Sequence, residues 1–277
     1  MIDAREQFLS RTLVRFFASH GRDLPWRSTK DPYAILVSEL MLQQTQVSRV
    51  IPKWRAWLER FPDFKTLANA PTRDVLQLWS GLGYNSRALR LRELAIVVMK
   101  EWRGKLPHEP EQLLTLPGIG PYTANAVASF AFGADVLAMD TNLKRVLGRY
   151  FGTAEIKMKV PRGKAYAMNA ALMDIGASVC GRTPDCANCP LQKYCVTQGR
   201  AKHEVKKPKA QKFAESDRCI RGSIMRALIE KSSTPAILKR IASQRCINVT
   251  PERLSKILHA LQREGLVKCV GSKISLP

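Results

Sequence analysis

The chain has 277 residues, which suggests about two domains. Its 45 Lys and Arg residues outnumber its 23 Asp and Glu residues, so the formal net charge is +22. This balance favours a polyanionic partner, and nucleic acid is the natural candidate. A membrane surface is the rival polyanion, but no apolar run approaches the roughly 18 residues that span a bilayer, so no membrane partner is expected.

Apolar residues at helical spacing dominate the chain, and no alternation typical of strands occurs before about residue 265. The first stretch contains Asp3 and Glu6, which argue against a transit peptide, so we expect a cytoplasmic, nucleoid-associated protein. Short polar or Gly/Pro connections separate the predicted helices. These helices are predicted at residues 5–19, 33–47, 51–59, 72–79, 86–102, 121–131, 142–151 and 162–178. The chain is therefore predicted to be mainly α.

A hairpin motif, Leu-Pro-Gly-Ile-Gly, occupies residues 116–120 and precedes one of the predicted helices. Gly118 and Gly120 allow a tight turn with positive φ, while Pro117 fixes the direction of entry. Such a turn points backbone N–H groups at the start of the next helix outward, where they can hold an anion such as a DNA phosphate. A plain helix–helix turn is the alternative, but the full motif followed by Thr-Ala-Asn-Ala is more specific.

A dense group of four cysteines, with gaps of five, two and five residues, stands at Cys180, Cys186, Cys189 and Cys195. Four thiolates suit either structural zinc or an iron–sulfur cluster, so ligand softness alone leaves both open. Disulfides are disfavoured, because the chain shows no secretory signal and its seven cysteines leave one unpaired. The other cysteines are expected to be ordinary buried side chains: Cys219, Cys246 and Cys269.

Composition changes after the cysteines, where residues 199–216 form a basic stretch with little apolar content that is predicted to be a linker. Residues 217–277 contain three amphipathic stretches, at about 218–231, 235–243 and 251–264, and then a short hairpin that turns at Gly271. Three helices and a hairpin resemble a winged helix. Twelve Lys and Arg against four Asp and Glu give this segment a net charge of +8, which favours phosphate contact. A dimerisation domain with a basic face is the alternative.

Several long motifs in a fixed order give the chain a resemblance to a known family over about residues 5–198. Besides the hairpin and the cysteines, they are residues 24–27 (LPWR), 38–47 (SELMLQQTQV), 81–84 (GLGY) and 139–146 (MDTNLKRV). Together they resemble the helix-hairpin-helix DNA glycosylases, the superfamily of endonuclease III, and within it the MutY-type adenine glycosylases. The resemblance implies a two-lobed all-helical glycosylase domain at residues 1–198, with a [4Fe-4S] cluster on the four cysteines. It also implies a monomer that acts on double-stranded DNA with mismatched or oxidised base pairs.

Within these motifs the resemblance assigns catalysis to Glu39 and Asp140, and their surroundings suggest two different roles. Glu39 has apolar neighbours one helical turn away, so desolvation should raise its pKa and let it protonate a purine leaving group. Asp140 precedes a helix, where free N–H groups and the helix dipole favour a carboxylate that stabilises an oxocarbenium sugar. Retaining glycosidases divide the work in the same way. Judged alone, Asp140 would more often be a helix cap and Glu39 a buried salt-bridge partner.

Tyr122 follows the hairpin at the position where bifunctional enzymes like endonuclease III carry a lysine that forms a Schiff base with the sugar. Tyrosine there implies a monofunctional glycosylase, and its hydroxyl is expected to hydrogen-bond the catalytic carboxylates. Packing alone is the alternative role. Lys144 is the nearby amine that would otherwise form such an adduct.

Removal of a base from a duplex requires extrusion of its nucleotide, and a side chain fills the gap. By resemblance, Gln44 and Tyr84 form this wedge, while Gln43 and Thr45 touch the opposite base. Each alone could be an ordinary helix-surface or core residue.

The resemblance also implies a second set of residues that support the pocket, at Arg22, Arg27, Asn142 and Asp174. Ordinary surface pairing or capping is the alternative for each of them. In the cysteine loop, Arg182 and Lys193 are candidates for phosphate contact, with a uniform rather than a base-specific effect.

Two features depart from the MutY pattern. The family usually has six residues in the first cysteine gap, where this chain has five. MutY proteins also commonly carry a C-terminal domain that resembles a nucleotide pyrophosphohydrolase and recognises 8-oxoguanine. The winged-helix-like segment stands in its place here.

We therefore predict a monofunctional adenine DNA glycosylase of base excision repair, which removes adenine opposite 8-oxoguanine or guanine. A glycosylase for T or U opposite G is the second hypothesis, because such enzymes can also carry Tyr after the hairpin, but the sequence around Glu39 argues against it. A DNA-binding regulator or redox sensor without catalysis is the third. The presence of both Glu39 and Asp140 argues against that.

Overall fold

The computed structural model describes residues 3–156, 158–198 and 212–277. These residues are mainly helical, as the sequence predicted, and the regular strands among them form one short hairpin near the C-terminal end. The helices are α1 (Ala4–His20), α2 (Pro32–Leu42), α3 (Val47–Arg60), α4 (Phe64–Ala68), α5 (Thr72–Trp79), α6 (Ser86–Glu101), α7 (Pro110–Leu113), α8 (Pro121–Phe132), α9 (Thr141–Phe151), α10 (Ala165–Ser178), α11 (Asp217–Glu230), α12 (Pro235–Ser243) and α13 (Pro251–Arg263). Within the described ranges, every helix is too short or too polar to cross a membrane.

The chain divides into two compact units, each built from two chain segments. The first unit comprises Met1–Glu39 and Leu106–Lys206, and the second comprises Leu40–Lys105 and Lys207–Pro277. The domain boundaries predicted from composition remain a prediction. Most of the predicted linker, residues 199–211, lies outside the described ranges.

The core of the first unit forms where α1 packs against α10 and α10 packs against α9. Leu9 and Leu13 of α1 are fully buried in one cluster with Tyr150 of α9 and Ile175 of α10. Full burial of an aliphatic side chain of this size contributes roughly 1.5–3 kcal/mol. Helix α9 is thereby anchored in the core, and the motif residue Asp140 lies directly before its first residue.

In the second unit, α4 and α5 pack against α6, and α11 packs against α5. Trp57 and Trp79 are fully buried and meet edge to face, with their ring centroids 5.5 Å apart, a geometry that the aromatic quadrupoles favour. Arg73 of α5 donates a hydrogen bond to the carbonyl oxygen of Glu230 at the end of α11. Helix α11 therefore joins the C-terminal segment to the helices of residues 40–105.

The C-terminal segment has the predicted three helices followed by a hairpin. Strands β1 (Lys268–Val270) and β2 (Lys273–Ser275) are antiparallel, and Gly271 in the turn between them has a φ of 57°. Ser233, between α11 and α12, pairs with Ile274 of β2 as an isolated bridge. A bridge residue between the first two helices that adds to the hairpin is the arrangement of a winged helix, as the sequence predicted.

The prediction that Cys219, Cys246 and Cys269 are ordinary buried side chains was correct for the burial of Cys219 and Cys246 and wrong in the rest. Cys219 on α11 and Cys246 after α12 form a disulfide, with their Cα atoms 5.8 Å apart, a common separation for such a bond. Cys269 in β1 is exposed. The two bonded cysteines are 27 residues apart in the sequence, and the packing of α11 against α12 brings them together. Sequence spacing could not reveal this contact.

The helix predicted at residues 33–47 ends earlier than expected. Helix α2 stops at Leu42, and residues 43–46 form a turn before α3 begins. Gln44 has a φ of 55°, in the left-handed region where a right-handed helix cannot continue. Gln43, Gln44 and Thr45 therefore lie on a turn and not on a helix surface.

Candidate active site

Glu39 is a buried acid on the apolar helix α2. The helix is apolar around it, with Ile35 and Leu36 also buried, and Glu39 itself is 4% exposed. Burial raises the pKa of Glu39 from its ordinary value to about 7. A hydrogen bond from Tyr122 opposes this rise, and the negative charge of Asp140 adds to it. Near neutral pH, Glu39 is therefore divided between its protonated and ionised forms, which suits a group that gives and accepts a proton.

Tyr122 holds the carboxyl of Glu39 in place. Its hydroxyl donates a hydrogen bond to Oε2 of Glu39 at an O···O distance of 2.7 Å. Tyr122 lies in the first turn of α8, one residue after Pro121. Burial and the neighbouring Glu39 carboxylate raise the pKa of Tyr122, so the phenol keeps its proton and remains the donor. The hydrogen bond that the sequence predicted for this tyrosine is present.

Asp140 is the N-cap of α9. Its Oδ1 accepts a hydrogen bond from the backbone N–H of Leu143 at 2.7 Å, and its Oδ2 accepts one from Nδ2 of Asn142 at 3.0 Å. Helix N-termini favour a negative charge at this position. The capping role that was the alternative for Asp140 is therefore present, and it orients the carboxylate.

Arg145, which was not among the residues predicted from the sequence, fixes the orientation of Asn142. Its Nη2 donates to Oδ1 of Asn142 and to the carbonyl oxygen of Gly176, both at 2.8 Å, and its Nε donates to the carbonyl oxygen of Cys180 at 2.9 Å. Because the guanidinium occupies the amide oxygen of Asn142, the amide nitrogen faces Asp140. Arg145 follows Asn142 by three residues, so one helical turn separates them. That spacing is the signal that could have found this contact.

Three of the predicted pocket-supporting residues form one cluster around Asp174, whose side chain is 3% exposed. Arg27 donates from Nη1 to Oδ2 at 2.8 Å and from Nη2 to Oδ1 at 3.0 Å, a bidentate geometry. Arg22 contributes its backbone N–H and its Nε. Burial works to raise the pKa of Asp174, but these hydrogen bonds outweigh burial and the net shift is downward. The charge of Arg27 also opposes the rise of the Glu39 pKa.

The hairpin motif joins α7 to α8. Gly118 has a φ of 78°, which favours glycine, whereas Gly120 has an ordinary φ of −101° and is the N-cap of α8. A Cβ placed on Gly120 would meet nothing within 4 Å, so the backbone borders open space at this point. An open surface next to the N-terminus of a twelve-residue helix is suited to an anion.

The four motif cysteines line one pocket in the first unit, together with Arg149. None of the four forms a disulfide with a described residue. Nη1 of Arg149 donates to the carbonyl oxygen of Gly181 at 2.6 Å and lies 3.4 Å from Sγ of Cys180. Four soft sulfur donors around one space fit a thiolate-bound group. In the part of the chain that the structure describes, no three His, Cys, Asp or Glu side chains form a site for a single metal ion.

The two basic residues predicted to contact phosphate, Arg182 and Lys193, are both exposed on the cysteine loop. The ammonium group of Lys193 lies over the ring of Tyr194, 5.5 Å from its centroid. Exposure of this kind is compatible with backbone contact to DNA.

The predicted wedge residues lie in the second unit, on two turns. Gln44 is exposed on the turn between α2 and α3, and Tyr84 is 47% exposed on the turn between α5 and α6. Both have a left-handed backbone, with φ values of 55° and 47°. The hydroxyl of Thr45 lies 3.2 Å from the carbonyl oxygen of Leu82 and so connects the two turns.

Residues 37–164, which include Glu39, Tyr122 and Asp140, match the family model described as HhH-GPD superfamily base excision DNA repair protein. A protein of Mycolicibacterium smegmatis named adenine DNA glycosylase is 38% identical over 270 residues, which cover 92% of this chain and 91% of the relative. The chain therefore belongs to the HhH-GPD superfamily of base excision DNA repair proteins.

The resemblance to the adenine glycosylases of this superfamily is confirmed by further relatives of the same name. One from Mycobacterium tuberculosis (strain CDC 1551 / Oshkosh) is 39% identical over 284 residues, with 96% of this chain and 92% of the relative covered. Among solved structures, a thermostable thymine-DNA glycosylase shares 32% identity at a TM-score of 0.66, over 71% of this chain and 97% of that one. A non-covalent endonuclease III–DNA complex matches in fold, with 22% identity and a TM-score of 0.62 over 72% of this chain and 98% of the other.

Proposed function

We propose that this chain is a monofunctional DNA glycosylase that removes adenine mispaired with 8-oxoguanine or guanine. The observation that carries the proposal is the buried Glu39, with its pKa raised to about 7, held by Tyr122 and influenced by the charge of Asp140. The relatives named adenine DNA glycosylase support the choice of base. We further propose that the chain acts as a monomer on duplex DNA in the cell's nucleoid.

Glu39 and Asp140 divide the proposed chemistry between them. Protonated Glu39 donates its proton to the leaving adenine while the N-glycosidic bond breaks and its electron pair stays with the base. The sugar becomes an oxocarbenium ion, which the Asp140 carboxylate stabilises. Water then attacks the anomeric carbon, and the ionised Glu39 accepts the proton that this water loses. The products are free adenine and an abasic site, and Glu39 returns to its starting state.

A thymine or uracil glycosylase for mismatches with guanine is the second candidate, favoured by the likeness to a solved thymine-DNA glycosylase. Thymine and uracil leave from a ring nitrogen, and their release needs less protonation of the base than the release of a purine does. A buried Glu39 with a pKa near 7 therefore favours a purine as the leaving base. A regulator or redox sensor that binds DNA without catalysis would have no use for a raised pKa at Glu39.

End-labelled duplexes that contain A:8-oxoguanine, A:G, T:G or U:G pairs test these alternatives. We expect base release from the two adenine duplexes, with strand cleavage only after alkali, because no lysine occupies the position of Tyr122. Borohydride should trap no enzyme–DNA adduct, and a Lys144→Ala variant should behave like the parent. Release of thymine or uracil alone would show that the chain is a mismatch glycosylase and not an adenine glycosylase. A trapped adduct would refute the monofunctional mechanism.

We propose that the four cysteines lining one pocket hold a [4Fe-4S] cluster, as the resemblance implies: Cys180, Cys186, Cys189 and Cys195. When bound, such a cluster would serve to fix the loop and not to carry out base removal. Arg182 and Lys193 on that loop would then face DNA phosphates. By the same resemblance, Gln44 and Tyr84 would fill the gap left by the extruded nucleotide. Gln43 and Thr45 would touch the opposite base.

We propose that the winged-helix-like segment adds phosphate contacts. Lys256 on α13 and Lys273 on β2 are exposed, and neither forms an ion pair with any described residue. In the double variant Lys256→Glu/Lys273→Glu we expect about tenfold weaker binding to a long undamaged duplex and a salt slope lower by about two. Fluorescence anisotropy at several salt concentrations measures both quantities.

A matched control for this prediction is Arg218→Glu, which reverses an exposed charge on α11 instead of α13 or the hairpin. Its affinity should change less than that of the double variant. Sedimentation of the double variant tests the alternative role in dimerisation. An unchanged salt slope together with loss of a dimer would favour dimerisation over DNA contact.

A further inference from the structure

Arg87 is a buried arginine that the proposed chemistry does not use. It is the second residue of α6 and is 7% exposed. Burial lowers the pKa of Arg87 to about 10, so it remains a cation at neutral pH. Both features work against stability, because burial costs a charge its hydration and a cation at a helix N-terminus opposes the helix dipole. A residue at such a disfavoured position needs compensating contacts.

The compensation comes from the two turns that carry Gln44 and Tyr84. Nη1 of Arg87 donates to the carbonyl oxygens of Leu40 at 2.6 Å and Gln43 at 2.7 Å, which lie at the end of α2 and in the turn after it. Nη2 donates to the carbonyl oxygens of Leu82 at 3.2 Å and Gly83 at 3.0 Å, directly before Tyr84. One guanidinium therefore binds both turns. The carbonyl oxygens that each terminal nitrogen contacts belong to one of the two segments.

Other contacts strengthen the same junction. Nη2 of Arg87 lies 3.3 Å from Oγ1 of Thr45, which itself reaches the carbonyl oxygen of Leu82. Trp79 donates from Nε1 to the carbonyl oxygen of Gly83 at 3.0 Å. The guanidinium also lies over the rings of Trp79 and Tyr84, with 5.2 and 5.6 Å to their centroids. Nε of Arg87 has no hydrogen-bond partner among the described residues, so these terminal nitrogens carry the polar contacts.

We call these contacts of Arg87 with both turns the clamp. The backbone conformation at the two turns explains why the clamp is needed. Gln44 and Tyr84 both hold left-handed φ values that residues with a side chain rarely adopt. Left-handed residues of this kind persist when the surroundings hold them there. Arg87 therefore fixes the backbone of the two turns from which the exposed side chains of Gln44 and Tyr84 project.

We propose that Arg87 is the positioning residue that holds Gln44 and Tyr84 ready to enter the DNA duplex. The inference rests on the proposed function, in which these two side chains replace the extruded adenine. A rigid wedge lowers the ordering cost at the moment of insertion. Loss of the clamp should therefore slow extrusion of a stacked base, and it should matter little when the base is already unpaired.

The test compares Arg87→Lys with the parent in single-turnover excision from two duplexes. In one, the target adenine is paired with guanine, and in the other it faces an abasic-site analogue and is unpaired. Lysine keeps the charge but offers three donors on one nitrogen, which cannot span both turns. We expect at least a tenfold slower excision from the A:G duplex and less than a threefold change with the unpaired adenine. A 2-aminopurine next to the target should report a smaller fluorescence rise, because less extrusion occurs.

The matched control is Arg92→Lys, on the same helix, where Nε donates to the carbonyl oxygen of Ala70 away from both turns. It should excise from both duplexes at the parent's rate. If Arg87→Lys does not fold, Trp79→Phe removes the hydrogen bond to Gly83 while keeping an aromatic ring in the same place, and it should show the same selective loss at a smaller size. Equal losses on both duplexes, or no loss on either, would overturn the proposal. A parent that excises no adenine would instead refute the proposed function, which keeps the two failures distinct.

Discussion

Asp140→Asn is expected to slow single-turnover adenine excision by about a hundredfold to a thousandfold, while leaving DNA affinity within a few-fold of the parent. The substitution removes the negative charge that stabilises the oxocarbenium sugar and changes little else. Removal of one preorganised electrostatic group at a transition state typically costs 10²–10³ in rate, or about 3–4 kcal/mol. Rapid-quench excision of an A:8-oxoguanine duplex measures the rate, and anisotropy on an uncleavable analogue measures the affinity.

The fold should survive this change, because asparagine caps a helix about as well as aspartate does. Its Oδ1 can still accept the N–H of Leu143. The new amide nitrogen would meet Nδ2 of Asn142, which Arg145 holds in its orientation, so one hydrogen bond is lost at a cost of roughly 1 kcal/mol.

Asp63→Asn is the matched control for Asp140→Asn. Asp63 caps α4 by accepting from the N–H and hydroxyl of Thr66, so the same substitution is made at a cap without proposed chemistry. Its excision rate should equal that of the parent. Full excision by Asp140→Asn, or an equal loss in both variants, would remove Asp140 from the mechanism.

Local patterns account for much of what the sequence could predict. The hydrophobic period locates α1, α9 and the three C-terminal helices to within a few residues, because each is an amphipathic helix whose core face is written into the sequence. The apolar context of Glu39 predicted a raised pKa, since the neighbours of Glu39 on its helix are apolar and residues 33–41 are all buried. The contact of Tyr122 with Glu39 was reached only through the resemblance, because 83 residues separate the two.

Contacts between distant segments explain what the sequence could not reveal. Arg87 reads as one more charged residue at the start of an ordinary helix, and its role depends on carbonyl oxygens more than forty residues away as well as on nearby ones. The early end of α2 has the same origin. The left-handed turn at Gln44 breaks a good helical pattern, and its support comes from Arg87 rather than from any glycine or proline in the turn.

The disulfide between Cys219 and Cys246 belongs to this second class. Two cysteines in a basic, helical segment gave no reason to expect a disulfide bond. The metal hypothesis concerned only the four motif cysteines. The packing of α11 against α12 brings the two cysteines together, and this packing cannot be derived from the sequence pattern. Among functional residues, Arg145 was accessible in principle, because its contact with Asn142 spans a single helical turn.

Glu39→Gln is the second substitution with a large expected effect. Glutamine can still accept the hydrogen bond of Tyr122, but it cannot transfer a proton to adenine or receive one from water. General acid–base catalysis contributes about 10²–10⁴ in rate, so we expect excision at least a hundredfold slower. Glu93→Gln, at an exposed position of α6, is the control and should keep the parent's rate.

The pH profile distinguishes an acid from a merely structural Glu39. Because the pKa of Glu39 in the parent is about 7, the protonated fraction of Glu39 is close to its maximum below pH 6. Above pH 7 this fraction falls about tenfold per pH unit. Single-turnover excision in the parent should follow this curve, flat on the acid side and declining on the alkaline side. The residual rate of Glu39→Gln should lack that decline. A parent rate that is constant from pH 6 to 9 would exclude Glu39 as the proton donor.

The pH dependence of folding stability is an independent test of the protonation of Glu39. The direction of the pKa shift fixes the sign of this dependence. Because the folded pKa of Glu39 lies above its ordinary value of 4.5, the native state binds more protons than the unfolded state between pH 4.5 and 7. The contribution of Glu39 to stability is therefore full below pH 4.5 and is lost as the pH rises through 7. For a shift of this size the loss is on the order of 3 kcal/mol, and Glu39→Gln should escape it. Thermal melts of both proteins at pH 5 and pH 8 should show the variant gaining on the parent as the pH rises, and parallel losses would mean that Glu39 is not held protonated in the fold.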